Sequence, residues 1–214
     1  NKGKSINAQR PVDAKSYNAT REEEILKFWQ ENDTFNKSLN KPASAQGSGE
    51  ARGDYVFYDG PPFATGLPHY GHILGSTAKD VIGRYQTMRG FHVPRKWGWD
   101  CHGLPVENIV EKDLGISGRK AIEEYGVDKF SEHARSVVLK YVAEWKKAVD
   151  RIGRWVDFDN SYKTMDNSFI ESVWWALGEM NKKELLYEGV RVLAYCPRCE
   201  TPIANSEIAM DNSY

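Results

Sequence analysis

Tyr55-Val56-Phe57-Tyr58-Asp59-Gly60-Pro61-Pro62-Phe63-Ala64-Thr65-Gly66, continued by Leu67-Pro68-His69-Tyr70-Gly71-His72, is the stretch whose reading decides the fold. A short apolar run meets a Gly-Pro-Pro turn and then two histidines three residues apart. Beyond His72, the residues Leu74, Ala78, Val81, Ile82, Tyr85 and Met88 recur at steps of three and four, the period of a helix with one apolar stripe. The pattern predicts strand, loop and helix, with the stripe buried and both histidines at the helix mouth.

A helix N-terminus presents unpaired N–H groups and the positive end of the backbone dipole, so it attracts phosphate. Histidines at this spacing face one side of the first turn, where both can donate to an anion. Gly71 between them has no side chain to hold a ligand away. The segment therefore reads as a nucleotide-phosphate site without a P-loop, since no Gly-x-x-x-x-Gly-Lys-Ser/Thr run occurs in the chain.

A second strand is predicted over Phe91 to Trp97, ending at Gly98-Trp99-Asp100. Ligands of open parallel sheets lie beyond the carboxyl ends of the strands, which puts Asp100 beside the Gly60-Pro61 turn. A carboxylate buried there needs a cation. Trp97 and Trp99 read as packing residues. Cys101 and His102 are neighbours on extended chain and point to opposite faces, which argues against a thiolate–imidazole pair.

The flanking segments read as helical cover. Thr20 with Glu23 has the form of a capping box opening a helix through about Glu31, with Ile25, Leu26 and Trp29 on its docking face. Phe130, Val137, Val138, Tyr141, Trp145, Ala148, Val149 and Ile152 predict one long amphipathic helix after a turn at Gly126. A further helix after Asp166 is expected to turn Ile170, Val173, Trp174, Leu177 and Met180 inward. Val190 to Tyr195 reads as a strand running into Cys196-Pro197-Arg198-Cys199, whose spacing suits half of a tetrahedral thiolate zinc site.

The 214 residues carry a net charge of −1, with 40% hydrophobic composition. That balance allows a real core and gives no global basic footprint, so the main surface for any nucleic-acid partner is expected elsewhere. No apolar run approaches a membrane span and no signal peptide opens the chain, which predicts a cytoplasmic protein with no membrane partner. Three cysteines do not make a disulfide framework. The start at Asn1 and the polar end at Tyr214 suggest an excerpt of a longer chain.

Taken together, Pro61-Pro62-Phe63-Ala64-Thr65-Gly66, His69-Tyr70-Gly71-His72 and Gly98-Trp99-Asp100-Cys101-His102-Gly103-Leu104-Pro105 resemble the catalytic core of the class I aminoacyl-tRNA synthetases, over nearly all of Tyr17 to Met210. Within that family the Trp-Asp-Cys-His-Gly-Leu-Pro run is similar to the isoleucine-specific branch. The resemblance implies an α/β fold: the first half of a Rossmann-type parallel-sheet nucleotide-binding domain over 51–185, a helical appendage and linker over 1–50, and a zinc-ribbon-like knuckle opening a connective insertion over 186–214. It implies that His69, Gly71 and His72 hold ATP with its Mg²⁺, that the two histidines are catalytic, and that Gly60, Pro61 and Asp100 hold the amino acid, Asp100 taking its ammonium. Cys196 and Cys199 would be half of a structural Zn²⁺ site. The implied reaction joins L-isoleucine to tRNA(Ile) through an adenylate. The family's second signature, Lys-Met-Ser-Lys-Ser, is absent, and Lys163-Thr164-Met165 is only a lookalike, so this stretch alone is expected to be inactive. The rivals are a valine or leucine synthetase, a nucleotidyltransferase with the same histidine site, and a nucleotide-binding or zinc-held interaction module.

Overall fold

The computed structural model describes residues 17–40, 53–57, 59–197 and 200–203. At its centre lies β1 (Lys96–Trp99), paired in parallel with β2 (Asp157–Lys163). On the opposite edge of the 92–100 segment runs the extended chain before the histidines. There Asp54 bridges His92 and Phe63 bridges Asp100, both parallel. The backbone explains the two edges. His92 exchanges bonds with Gly53 and Tyr55, and the Asp100 N–H reaches the Pro62 carbonyl at 2.9 Å, whereas the Arg95 and Trp99 carbonyls accept from Asp157 and Thr164. Alternate residues of one extended chain thus serve alternate edges.

The expected parallel layer is present, with altered boundaries. Ladder pairing with β2 begins at Lys96, beyond Pro94, which has no N–H to give a ladder, and is interrupted by a bulge before Gly98. The apolar run at Tyr55 is held by bridges and is not a ladder strand, and Tyr58 lies outside the described residues. Trp97 and Trp99 are each only 1% exposed and pack against Trp145 and Phe158, as expected of packing residues. Val106, Val138, Val149, Cys101 and Ala64 complete this core.

Helix α1 (Tyr17–Glu31) and α2 (Thr34–Asn40) precede the sheet. Thr20 falls inside α1, so it is not the helix cap. The predicted docking face holds: Trp29 meets Trp155 edge-on at 5.4 Å, and Leu26 and Trp29 crowd the space a Cβ would take at Gly153. Arg151 pairs with Glu22 at 2.9 Å across the same contact.

Helix α3 (Tyr70–Met88) starts where predicted, but its buried stripe is a correction. Leu74, Val81, Tyr85 and Met88 are more than half exposed, while Ser76 and Gly83 are buried. Small and polar residues take the inner face because arginines meet them there. Arg154 donates to Ser76 at 3.1 Å, and a Cβ at Gly83 would lie 2.8 Å from Arg95 Nε.

Helices α4 (Leu104–Leu114), α5 (Arg119–Tyr125), α6 (Val127–Val137) and α7 (Val142–Arg151) cover the layer. The long helix expected over Phe130 to Ile152 is therefore two. It breaks because the Tyr141 N–H is diverted to the Ala64 carbonyl at 3.3 Å, which ties the break to the turn before the histidines. Helix α8 (Asn167–Lys182) follows Asp166 as expected, but none of its residues is buried and Trp174 is 70% exposed. Its predicted inward face is therefore not covered among the described residues. Near the end, β3 (Tyr195–Cys196) and β4 (Thr201–Pro202) form a short antiparallel hairpin. Val190 and Val192 are fully exposed and lie in no strand, so the strand expected from Val190 shrinks to its last residue. No helix among the described residues is long and apolar enough to cross a membrane.

Candidate active site

The loop from Asp59 to Pro68 runs between the bridged edge of the sheet and α3, and its two ends are fixed differently. At Pro62 it is held by the Asp100 N–H, one residue beyond the Gly60-Pro61 turn beside which the strand-end rule places Asp100. At Gly66 the carbonyl accepts the indole N–H of Trp145 from α7 at 2.8 Å. Asp100 itself is half-buried, and its Oδ1 lies 3.4 Å from the His102 backbone nitrogen.

His69 and His72 form a reciprocal cap at the start of α3. The His69 Nδ1 accepts from the Gly71 N–H at 3.1 Å, and the His72 Nδ1 accepts from the His69 N–H at 3.2 Å. This is the geometry of a capping box built from imidazoles in place of hydroxyl and carboxylate. The rings stack with centroids 3.7 Å apart. An accepting Nδ1 leaves the neutral ring's proton on Nε2, so each ring in its neutral form carries a donor at the far edge. Burial first, then His69 and Lys79, lowers the His72 pKa below the usual histidine value and favours that neutral form.

Gly71 has a local reason to lack a side chain: a Cβ there would lie 3.0 Å from Cε1 of the His69 ring. The requirement thus belongs to the cap as well as to any approaching ligand. Cys101 is buried and His102 exposed, so the two point apart; desolvation raises the Cys101 thiol pKa, as suits an inert core thiol.

Several residues that the sequence argument did not single out join the site. Trp145 lies beneath His72, edge-on at 4.8 Å, while also bonding Gly66. Asp59 receives both Lys79 from α3 and Arg154 from the turn after α7, and the Tyr162 hydroxyl donates to the Asp59 carbonyl at 3.2 Å. Tyr162 lies flat over Gly98, where a Cβ would be 2.1 Å from its ring. None of these carries a sequence signal beyond helical or strand periodicity, because every partner belongs to a different element of the fold.

The Cys196 thiol sits at the end of β3, while Cys199 lies outside the described residues. Among the described residues no group of three or more His, Cys, Asp or Glu could hold a metal ion, so the hairpin does not by itself fit a zinc site.

A parallel α/β layer, a histidine-capped helix after the loop at its edge and a carboxylate at the adjoining strand end are brought together here. The family model for class I tRNA synthetases (I, L, M and V) matches residues 24–214, and the chain belongs to that family. It is 54% identical over 199 residues to an isoleucine–tRNA ligase of Treponema denticola, covering 93% of this chain and 18% of that one. An isoleucine–tRNA ligase of Rickettsia bellii is 56% identical over 196 residues, 92% of this chain and 17% of that one. The chain thus spans less than a fifth of the length of these relatives. Among solved structures, a ternary complex of Agrobacterium radiobacter LeuRS, tRNA and LeuAMS matches 85% of this chain and 20% of that chain, with 20% identity and a TM-score of 0.46.

Proposed function

We propose that this chain is the histidine-signature half of the catalytic domain of an isoleucine–tRNA ligase, active in the complete protein. The complete protein activates L-isoleucine with ATP, releasing diphosphate, and transfers the isoleucyl group from the adenylate to tRNA(Ile). The observation that carries this reading is the reciprocal cap: it engages both Nδ1 atoms and leaves the two Nε2 edges free to donate at a helix N-terminus, after a loop that is bonded at Pro62 to the Asp100 strand end. The names of the relatives direct the reading to isoleucine.

His69 and His72 donate to the ATP phosphates, where charge grows as the amino-acid carboxylate attacks the α-phosphate and diphosphate departs. Little covalent work falls to these side chains; they position and stabilise charge. Gly71 lets the nucleotide approach. Asp100 takes the ammonium, and Gly60 with Pro61 lines the side-chain pocket. Mg²⁺ accompanies the ATP phosphates. The Cys196–Cys199 spacing supports half of a structural zinc site whose remaining ligands come from elsewhere in the complete protein. The region 1–50 serves as an appendage, 51–185 as the catalytic half-domain and 186–214 as the start of an insertion, in a cytoplasmic enzyme.

The test is charging of tRNA(Ile) with labelled isoleucine by the complete protein and its His72→Ala variant. The reading expects charging by the parent and a loss of about 10²-fold in the variant per folded molecule, beyond what its loss of the helix cap takes from stability. An unchanged rate in the variant contradicts the role given to His72.

A further inference from the structure

Asp59 immediately precedes the Gly60-Pro61 turn and its side chain is almost buried, yet it carries no reacting role in the account above. A buried carboxylate is costly unless paired and hydrogen-bonded. Here it is paired twice, from two separate elements. Lys79, two turns into α3, takes Oδ1 and also reaches the Gly60 carbonyl at 3.4 Å. Arg154, itself only 6% exposed at its side chain, takes Oδ2. Arg154 is in turn fixed by Ser76 Oγ at 3.1 Å and by the Trp97 ring 4.9 Å beneath its guanidinium. The backbone carbonyl of Asp59 is held by the Tyr162 hydroxyl from β2. Helix α3, the α7–β2 turn and β2 therefore all converge on the one residue that starts the turn, with β1 behind Arg154 through Trp97. Of the three groups holding Asp59, two bear charge directly on its carboxylate.

We propose that Lys79 and Arg154, through Asp59, are positioning residues for the amino-acid pocket: they hold the Gly60-Pro61 turn against the Asp100 end of β1 and fix it relative to the histidine-capped helix. The proposal rests on the isoleucine-activating reading. A turn of two prolines and a glycine has few backbone donors of its own, so its place is set by what grips its ends. Loss of the grip moves the pocket wall, while the reciprocal cap that sets the two histidines is made within residues 69–72 and stays. The cost therefore falls on the amino acid and not on ATP.

The experiment uses the complete protein with Asp59→Asn, Lys79→Met and Lys79→Arg, measuring isoleucine-dependent pyrophosphate exchange and deuterium exchange at the Asp100 amide, whose bond to Pro62 reports the docked turn. Asp59→Asn and Lys79→Met are expected to raise the KM for isoleucine by ~10-fold or more, with the KM for ATP within about 2-fold, and to speed Asp100 amide exchange. Lys79→Arg is expected to restore both. A lower kcat at unchanged KM values is what lost folded protein would give, and it overturns the positioning role. Wild-type amide protection in both variants overturns it whatever the kinetics show. Lys79 is one-third exposed, so its variants remain informative if Asp59→Asn fails to fold. A parent protein without isoleucine-dependent exchange contradicts the proposed function, and the amide readout then decides this inference separately.

Discussion

Trp145 and His72 meet edge-to-face at 4.8 Å, and the same indole donates its N–H to the Gly66 carbonyl. One α7 side chain thus supports both the helix cap and the loop that leads into it, and ties them to Trp97 and Trp99 in the core. Trp145→Phe keeps an aromatic face but removes the donor and part of the volume. It is expected to cost about 2 kcal/mol of stability and to lower amino-acid activation more than the melting shift explains. Denaturant titration beside pyrophosphate exchange on the complete protein measures both; equal activity per folded molecule would leave Trp145 as packing only.

Gly98 lies under the Tyr162 ring, with no space for a methyl group. Gly98→Ala is expected to destabilise by about 3 kcal/mol, because the ring must leave its place on β1 and give up its bond to Asp59. Adding Tyr162→Ala to Gly98→Ala should recover part of that loss. A double variant no more stable than Gly98→Ala would show that the clash is relieved by other means.

Gly71→Ala places a methyl group 3.0 Å from the His69 ring, so the ring must give by a few tenths of an ångström, which strains its bond to the Gly71 amide. Exchange activity is expected to fall about 10²-fold while the fold persists, since among the described residues the side chain crowding that position is His69 alone. Parental activity in the Gly71→Ala enzyme would contradict the cap's role.

The depressed pKa of His72 sets a pH dependence. The folded state holds this ring neutral where the unfolded chain would already take a proton, so the unfolded state binds more protons just below the ordinary histidine value of 6.5. The contribution to stability is complete above pH 6.5 and is lost as pH falls from there through the folded-state pKa. Protonation also puts a hydrogen on Nδ1 and breaks its acceptance from the His69 N–H. The acid limb of exchange activity is therefore expected below pH 6.5, and His72→Ala should abolish that limb; a limb centred above 6.5 would contradict the assignment.

How much of this was legible in the sequence differs from residue to residue. The histidine-capped helix and the meeting of Asp100 with the proline turn follow from local spacing and the strand-end rule, and both appear in the structure. β2 was not foreseen, because Asp157-Phe158-Asp159-Asn160 reads as turn: Asn160 bonds back to Asp157, and the strand bulges there before resuming at Tyr162. The break at Val138–Tyr141 depends on the Ala64 carbonyl, far earlier in the chain, which periodicity cannot register. The exposed stripes of α3 and α8 have the correct helical period, but period alone does not say whether a partner is present to cover them. The grip of Lys79 and Arg154 on Asp59 is likewise a product of tertiary placement, with nothing in the local sequence to mark it.

Isoleucine activation at the histidine-capped helix is tested by pyrophosphate exchange into ATP by the complete protein with isoleucine, valine, leucine, methionine or no amino acid. Exchange is expected to require an amino acid and to be strongest with isoleucine. Exchange without any amino acid, or strongest with one of the other three, would contradict it.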